Sequence, residues 1–399
     1  MGLLKIALLF LLALFPLLEL VRIQFPFAIS ITLNDVLVMF VIFGWIISCG
    51  LNLRNIFKTY LAKRIALFSL VLFGSLIFNI GNLNTHELFV AFLYLGRWVC
   101  YAAVYMIVGG LKTDFKKKIK RGMAYGGGAV VVLGFLQYIF YSDLRNLYYL
   151  GWDEHLYRMF SSFLDPNYAG AFFVLYFLFL LPRFLSEKKG KAWSLCIFFL
   201  CLSILAIFLT YSRSAFIMFF VSLFVFSFLT KKKNLFFAVL LAFLLGVFFI
   251  KPYFSIENIN LFRTASNEAR IDSAQNALTI IKDYPFFGVG FNAYRYAQIR
   301  YGFREKETSF LSHADAGTDN SFLFILATAG IIGFFAFIAL WISVLKKAYD
   351  SYKERKDLWD AVVIASILGI GVDSLFINSF FYPPLLLWIW FLLGIKDYT

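Results

Sequence analysis

Charged residues, histidine and cysteine are scarce in this sequence of 399 residues. Only 15% of the residues are charged, whereas 61% are hydrophobic, and the chain has three histidines and four cysteines. This composition differs strongly from that of a soluble domain. All four cysteines lie in or beside apolar segments and form no metal-type pair, so we interpret them as packing residues. The sequence therefore predicts an integral membrane protein without a metal or cofactor.

The sequence also gives little support for a nucleotide or nucleic-acid site. Gly288-Val289-Gly290 follows a predicted helix, not a strand, and the third glycine of a dinucleotide fingerprint is absent. The formal net charge is +14, but the basic residues are divided among short loops and are not interleaved with aromatic residues on one face. We therefore interpret the charge as a topology signal and expect no nucleic-acid partner.

Twelve apolar segments run through the chain. A membrane-spanning helix needs about 20 mostly apolar residues, and strands would require a polar alternation that is not seen. We predict an all-α integral membrane fold, a single polytopic domain over 1–399 with about 12 transmembrane helices. The predicted spans are 3–21, 34–50, 65–81, 88–111, 122–141, 167–185, 192–210, 214–230, 234–250, 320–345, 358–374 and 378–395.

Two of these spans have alternatives. The last two are short, so eleven spans with a re-entrant segment remain possible. The first could be confused with a secretory signal, but no small-residue cleavage site follows Glu19, and we interpret it as a span.

Clusters of Lys and Arg occupy every second gap between the spans. They lie within 54–64, 112–121, 183–191, 231–233 and 346–356. Short loops rich in Lys and Arg stay on the cytoplasmic side. The pattern predicts that both termini are cytoplasmic. It also predicts that the long loop 251–319, between spans 9 and 10, is external.

The long loop is predicted to be partly helical. Residues 267–282 have a helical pattern that Pro285 ends. Its apolar stripe is predicted to contain Ile271, Ala274, Leu278 and Ile281. Arg270 falls off this stripe, on the polar side of the helix.

Two arginines lie in or beside predicted membrane spans, where a basic residue indicates a structural or functional role. Arg97 falls well inside the fourth predicted span, where a cation costs about 2.5–3.5 kcal/mol on insertion scales. It serves either a site or an internal ion pair or kink contact. Arg213 occupies the short external link after the seventh span, and its alternative is contact with lipid headgroups.

Four motifs follow one another in a specific order between Phe160 and Gly333. The first enters the sixth span, the second links spans 7 and 8, the third opens and closes the loop helix, and the fourth opens the tenth span. They are Phe163-Leu164-Asp165-Pro166-Asn167-Tyr168-Ala169, Tyr211-Ser212-Arg213-Ser214, Glu268-Ala269-Arg270 with Asp283 to Asn292, and Asp319-Asn320-Ser321 with Gly330 to Gly333. In order, spacing and external placement they resemble the O-antigen ligase and O-antigen polymerase superfamily of membrane glycosyltransferases.

The resemblance implies a function and a location. Enzymes of this family transfer a glycan from undecaprenyl pyrophosphate to an acceptor without metal or nucleotide. The protein would then lie in the bacterial cytoplasmic membrane, with its active site on the extracytoplasmic side. Its partners would be the lipid-linked glycan donor and a lipid or glycan acceptor. Ligase and polymerase activities are not separated by the sequence.

The resemblance also implies site residues. The donor pyrophosphate would lie on arginines matching Arg213 and Arg270, and we add Arg97 as a third candidate. The family has a histidine just before the Asn of its His-Asn pair, whereas this chain has Asp319 there. His313 stands six residues earlier. Further acceptor or supporting candidates are Asp165, Asn167, Asn320 and Asp373.

The base for the acceptor hydroxyl is assigned from chemistry. A helix start favours an anion, and an ionised Asp319 with a low pKa is a weak base at neutral pH. A neutral imidazole is better matched. We therefore favour His313 as base or acceptor-orienting group, with Asp319 capping the tenth span and holding the acceptor.

Two other functions fit a protein of this kind. A transporter or flippase for lipid-linked oligosaccharide would commonly show repeated halves, and no repeat is seen between 1–200 and 201–399. A non-catalytic scaffold would not need Arg97, Arg213 and Arg270 on one face. We expect these arginines to converge on one external cavity if the protein is a transferase.

Overall fold

The computed structural model describes residues 2–25, 29–49, 59–186, 189–250, 265–305, 317–396 and 398. These residues form fourteen α-helices. The helices are α1 (Gly2–Leu14), α2 (Leu33–Cys49), α3 (Ala62–Phe78), α4 (Thr85–Gly109), α5 (Thr113–Phe140), α6 (Pro166–Ser186), α7 (Lys191–Leu209), α8 (Arg213–Leu229), α9 (Lys233–Ile250), α10 (Ala265–Asp283), α11 (Tyr294–Arg300), α12 (Ser321–Arg355), α13 (Leu358–Asp373) and α14 (Pro383–Lys396).

Each of the twelve predicted spans overlaps a helix of this set, although the tenth span is interrupted at Gly330. Among the described residues, five helices are long and apolar enough to cross a membrane by length and composition, namely α4, α5, α6, α7 and α12. Several shorter helices, including α1, α2, α8 and α14, are also apolar. The chain is therefore a mostly helical protein of membrane type, while the number of spans and the orientation of the termini stay predictions.

The first predicted span is wrong at its C-terminal end. Helix α1 stops at Leu14, and a 3-10 helix covers Phe15–Leu20, with Pro16 in its first turn. Proline has no N–H to donate and ends the α-helical hydrogen-bond series here. A short hairpin follows, in which strand β1 (Arg22–Phe25) pairs antiparallel with β2 (Ile29–Thr32). The prediction of an all-α fold therefore missed one two-stranded ribbon.

Helices α6, α13 and α14 form the centre of the bundle. They are buried on nearly all faces, and Trp388 and Trp390 of α14 are among the largest fully buried side chains. A helix that is apolar all round belongs in such a position. Trp388 packs edge-on against Phe172 of α6 at 5.0 Å between ring centroids. This aromatic core supports the N-terminal ends of α6 and α14, where the polar residues of the site begin.

Helix α12 is broken at Gly330, and the turn after α10 docks into the break. Gly330 has φ 63° and ψ −167°, a conformation that glycine adopts readily. The Ile331 N–H donates to the Pro285 carbonyl (2.8 Å), and the Val289 N–H donates to the Ala327 carbonyl (2.9 Å). A Cβ at Gly330 would lie 2.2 Å from the carbonyl carbon of Phe286. The paired glycine motifs therefore fix α10 against α12.

The segments predicted to be external meet at one end of the bundle. The described part of the loop 251–319 lies with the N-terminal ends of α6, α12 and α14 and with residues 151–165 around one cavity. The opposite end carries a buried ionic cluster, in which Lys396 contacts Asp360 (2.9 Å) and Asp357. The cavity and the ionic cluster therefore lie at opposite ends of α14, which runs from Pro383 to Lys396.

Candidate functional site

The cavity at this end of the bundle has a volume of about 1080 Å³. Its walls come from α4, the segment 151–168, α10, α11 and the starts of α12 and α14. Six arginines and six carboxylates line it, so the cavity is not uniformly basic and any recognition of an anion must depend on individual arginines. The predicted site residues on its wall are Arg97, Asp165, Asn167, Arg270 and Asp319.

Arg270 is the arginine of the matched family motif that lies on this wall. It is partly buried on the first half of α10. Among the described residues no carboxylate forms an ion pair with Arg270, and its guanidinium carbon lies 6.0 Å from the centre of the Phe376 ring. A guanidinium in this setting keeps its charge and its forked donors. Arg270 can therefore present both to a phosphate group.

The face of α10 that holds Arg270 differs from the sequence prediction. Ile271 and Leu278 of the predicted apolar stripe are 55% and 48% exposed, whereas Ala277 and Ile280 are fully buried. Arg270 lies on the buried side with these two residues, at helical spacing. The predicted stripe was wrong because this helix covers a polar cavity, so its inward face combines polar and apolar residues.

Arg213 is the first residue of α8 and does not line the cavity. The Ser212 hydroxyl caps the helix and donates to Oδ1 of Asn167 (2.9 Å). Arg213 lies close enough to Arg270 for the two cations to repel each other. A shared anion would relieve this repulsion. The structure thus brings together the two arginines that the resemblance selects, with Arg270 on the cavity wall and Arg213 partly buried beside it.

Arg97 forms the internal ion pair that was its alternative interpretation. Its guanidinium donates to Asp35 of α2 (2.9 Å) and to the carbonyl of Ser30, and it stacks over the Tyr94 ring at 4.6 Å. Tyr101 also donates to Asp35 (3.0 Å). Arg97 still lines the cavity. Its charge is largely balanced, so it contributes shape and hydrogen bonding more than net charge.

Asp165 and Asn167 occupy the start of α6 and are tied to a buried arginine. Oδ1 of Asp165 accepts from the backbone N–H of Asn167 (2.6 Å), and Oδ1 of Asn167 accepts from Arg158 (3.3 Å). Arg158 is 3% exposed and also donates to the Thr210 carbonyl (2.8 Å). Burial raises the pKa of Asp165, and the Asn167 N–H and Arg158 act against this effect. Arg158 was missed from the sequence.

At the start of α12, Asn320 and Asp319 have roles that differ from those predicted. Asn320, not Asp319, caps the helix, since its Oδ1 accepts from the N–H groups of Phe322 (2.8 Å) and Leu323 (3.0 Å). Asn320 is therefore structural. The Asp319 carboxylate does not act as the cap and lines the cavity, and the Asp319 N–H donates to Oγ of Ser273 on α10 (3.2 Å).

Asp373 and His313 complete the predicted set. Asp373 is fully buried, accepts from the Ser379 hydroxyl, and lies beside Ser214 of α8. It does not line the cavity but lies close enough to Arg270 for an attractive interaction. His313 falls outside the described residues, so its prediction stays open.

One cluster of potential ligands was not foreseen. Asp153, His155 and Asp165 each place one side-chain ligand atom within 4.8 Å of the others. No motif indicates this cluster, because residues 153 and 165 are too far apart in sequence. Three atoms with this spacing can hold a cation or form an acid–base group. Arg295 of α11, 9% exposed, is a further cavity residue that was missed.

Comparison with known families supports the same region. Residues 197–338 match the family described as O-antigen ligase. The matched stretch runs from α7 into α12 and contains Arg213, Arg270 and Asp319. No curated protein matches the chain. The resemblance expected from the motifs is thus confirmed, and over this stretch the chain is similar to the O-antigen ligase family.

Proposed function

We propose that this protein transfers a glycan from undecaprenyl pyrophosphate to an acceptor hydroxyl at the outer face of the bacterial cytoplasmic membrane. The transfer would be that of a surface-polysaccharide ligase or polymerase. The observation that carries the proposal is the proximity of Arg213 to Arg270, which lines the cavity, within the region that matches the O-antigen ligase family.

The chemistry of the leaving group explains why arginines suit this task. When the sugar–pyrophosphate bond breaks, negative charge accumulates on the phosphate oxygens. Guanidinium groups bind such oxygens in a bidentate manner. Donors placed where charge develops in a water-poor site stabilise the transition state. In this proposal Arg270 binds the pyrophosphate directly, the nearby Arg213 adds positive charge, and Arg97 lines the same cavity.

The acceptor side is assigned to the residues facing these arginines. Asp319 lies on the cavity wall and can accept a hydrogen bond from a sugar hydroxyl. His313 belongs to the same loop and is proposed to orient the acceptor. Asp165 and Asn167 border the donor side, while Asn320 and Asp373 hold the helix starts in place.

The roles of His313 and Asp319 are separated by two variants. If His313 orients the acceptor, His313→Ala raises KM for the acceptor and lowers turnover. Asp319→Asn has a smaller effect on turnover, because the amide still accepts a hydrogen bond. A His313→Ala variant with the wild-type rate, together with an inactive Asp319→Asn variant, would reverse the roles.

The transfer is proposed to need no divalent metal, because the arginines supply the charge. The test incubates purified protein with a lipid-linked oligosaccharide, with and without chelator. Glycan that becomes longer, or that moves to another lipid, supports transfer. Glycan that remains on its original carrier contradicts it. Activity that disappears with chelator and returns with one added cation contradicts the metal-free part alone.

A further inference from the structure

His155 occupies a place in the cavity that the predicted site does not use. Of the two described histidines, His155 lines the cavity and is 8% exposed, whereas His86 lies exposed at the start of α4. His155 belongs to the segment before α6, far in sequence from the matched family region. Its imidazole is near two carboxylates, Asp153 and Asp165.

The backbone around His155 is held on both sides. The His155 carbonyl accepts from the N–H of Leu144 (2.8 Å), and Asp143 and Leu156 form an isolated antiparallel bridge. Four residues after His155, the N–H of Met159 donates to the Leu209 carbonyl at the end of α7 (2.9 Å). A catalytic side chain needs this kind of fixed support. The backbone that carries the imidazole is thus held on both sides of His155.

Asp165 is suited to orient this imidazole. One carboxylate oxygen, Oδ1, accepts the N–H groups of Asn167 (2.6 Å) and Tyr168 (3.4 Å) at the start of α6. The other oxygen remains for a side-chain partner. The Asp165 and His155 ligand atoms lie within 4.8 Å of each other. A base whose orientation is fixed by a third group is the usual arrangement in acid–base and nucleophilic catalysis.

We propose that His155, oriented by Asp165, is the base that accepts the proton from the acceptor hydroxyl. This inference rests on the proposed transferase function. It places a histidine from another segment in the cavity where the family's histidine position is occupied by Asp319. Asp319 then orients the acceptor, and the proton goes to His155.

The transfer step moves the glycan to the acceptor oxygen and the acceptor proton to His155. The acceptor O–H bond breaks, and its proton moves to an imidazole nitrogen of His155. The acceptor oxygen forms a bond to the anomeric carbon. The bond from that carbon to the pyrophosphate oxygen breaks, and its electron pair leaves with undecaprenyl pyrophosphate, held by Arg270. The imidazolium then returns its proton to water.

The experiment compares His155→Gln, His155→Ala and the control His86→Gln in the transfer assay. General acid–base catalysis contributes about 10²–10⁴-fold, so we expect kcat of His155→Gln to fall by about 100-fold or more. Binding of undecaprenyl pyrophosphate should be unchanged, since Arg270 is intact. Added imidazole should restore part of kcat in His155→Ala and none in His155→Gln. His86→Gln should behave as the wild type.

Three results would overturn the inference. The first is a wild-type kcat in His155→Gln. The second is a joint loss of undecaprenyl pyrophosphate binding and kcat without imidazole rescue, which indicates a structural role. The third is a cation requirement that disappears in the His155 variants, which makes the cluster a metal site. If the wild-type protein releases no undecaprenyl pyrophosphate at all, the proposed function fails, and that outcome is separate from these three.

Discussion

Replacement of Arg270 by lysine tests whether this residue of the cavity wall binds the donor pyrophosphate. Lysine keeps the positive charge but loses the planar fork that binds two phosphate oxygens together. A hydrogen bond to a charged group contributes about 1.5–3 kcal/mol. Since about 1.36 kcal/mol corresponds to a tenfold change in rate, loss of one such bond in the transition state should lower kcat/KM by about 10- to 150-fold.

The fold should tolerate this change. Arg270 lies partly exposed on α10, makes no ion pair among the described residues, and lysine is as good a helix former as arginine. Purified Arg270→Lys should therefore show the wild-type melting temperature and reduced transfer of glycan from the lipid-linked donor. Arg213→Lys should behave in the same direction, because its guanidinium is close to that of Arg270.

The matched control is Arg300→Lys on α11. Arg300 pairs with Glu87 (3.2 Å), and its side chain is 39% exposed and does not line the cavity. An exposed ion pair of this kind contributes only about 0–1 kcal/mol to stability. Near-wild-type transfer in both Arg213→Lys and Arg270→Lys would remove these residues from the donor site. An equal loss in Arg300→Lys would show that the assay reports general damage.

Three further predictions concern topology and stability. A Ser309→Cys variant in a cysteine-free background should be labelled by an impermeant reagent in intact cells, and labelling only after lysis would contradict the external position of the loop. Lys396→Met breaks a buried ion pair and should lower the free energy of unfolding by about 3–5 kcal/mol, seen as a lower melting temperature in detergent. Its control is Lys117→Met, because the Lys117 side chain is 66% exposed and its ion pair should contribute only about 0–1 kcal/mol. Gly330→Ala should destabilise the fold and abolish transfer, because the new Cβ would overlap the Phe286 backbone. Its control is Gly74→Ala in α3, where no atom lies within 4 Å of the added Cβ, and this change should be neutral or slightly stabilising. Comparable melting temperatures for the two glycine variants would refute the proposed fit between α10 and α12.

The helices could be predicted because their signal is local. Long apolar runs and the basic clusters between them identify each helix without knowledge of its neighbours. Pro285 was visible as a helix end and Gly330 as part of a motif, but the break in α12 was not predicted. The hydrogen bonds that join the two segments connect positions 38 residues apart (289 and 327) and 46 residues apart (285 and 331). The paired strands Arg22–Phe25 and Ile29–Thr32 were missed because each has only four residues and they follow closely on an apolar segment.

The site could be predicted only in part, because its residues come from distant segments. Arg213 and Arg270 were selected by motif, and the structure brings them together. The partner of Arg97 could not be assigned, because Asp35 reaches it from another helix. The cluster of His155 with Asp165 depends on how the segment 151–165 folds back over α6, which no periodicity encodes. The buried face of α10 was wrong for the same reason, since the sequence does not reveal that it faces a polar cavity.

The central claim is tested most directly by the stoichiometry of one reaction. Purified protein in liposomes is given a lipid-linked oligosaccharide and an acceptor, and both released undecaprenyl pyrophosphate and glycan on the acceptor are measured over time. The account predicts one undecaprenyl pyrophosphate released for each glycan transferred, in the presence of chelator, and a parallel reduction of both products in Arg270→Lys. A donor that crosses the liposome membrane with its glycan still attached, and no release of undecaprenyl pyrophosphate, would contradict the account and identify a transporter.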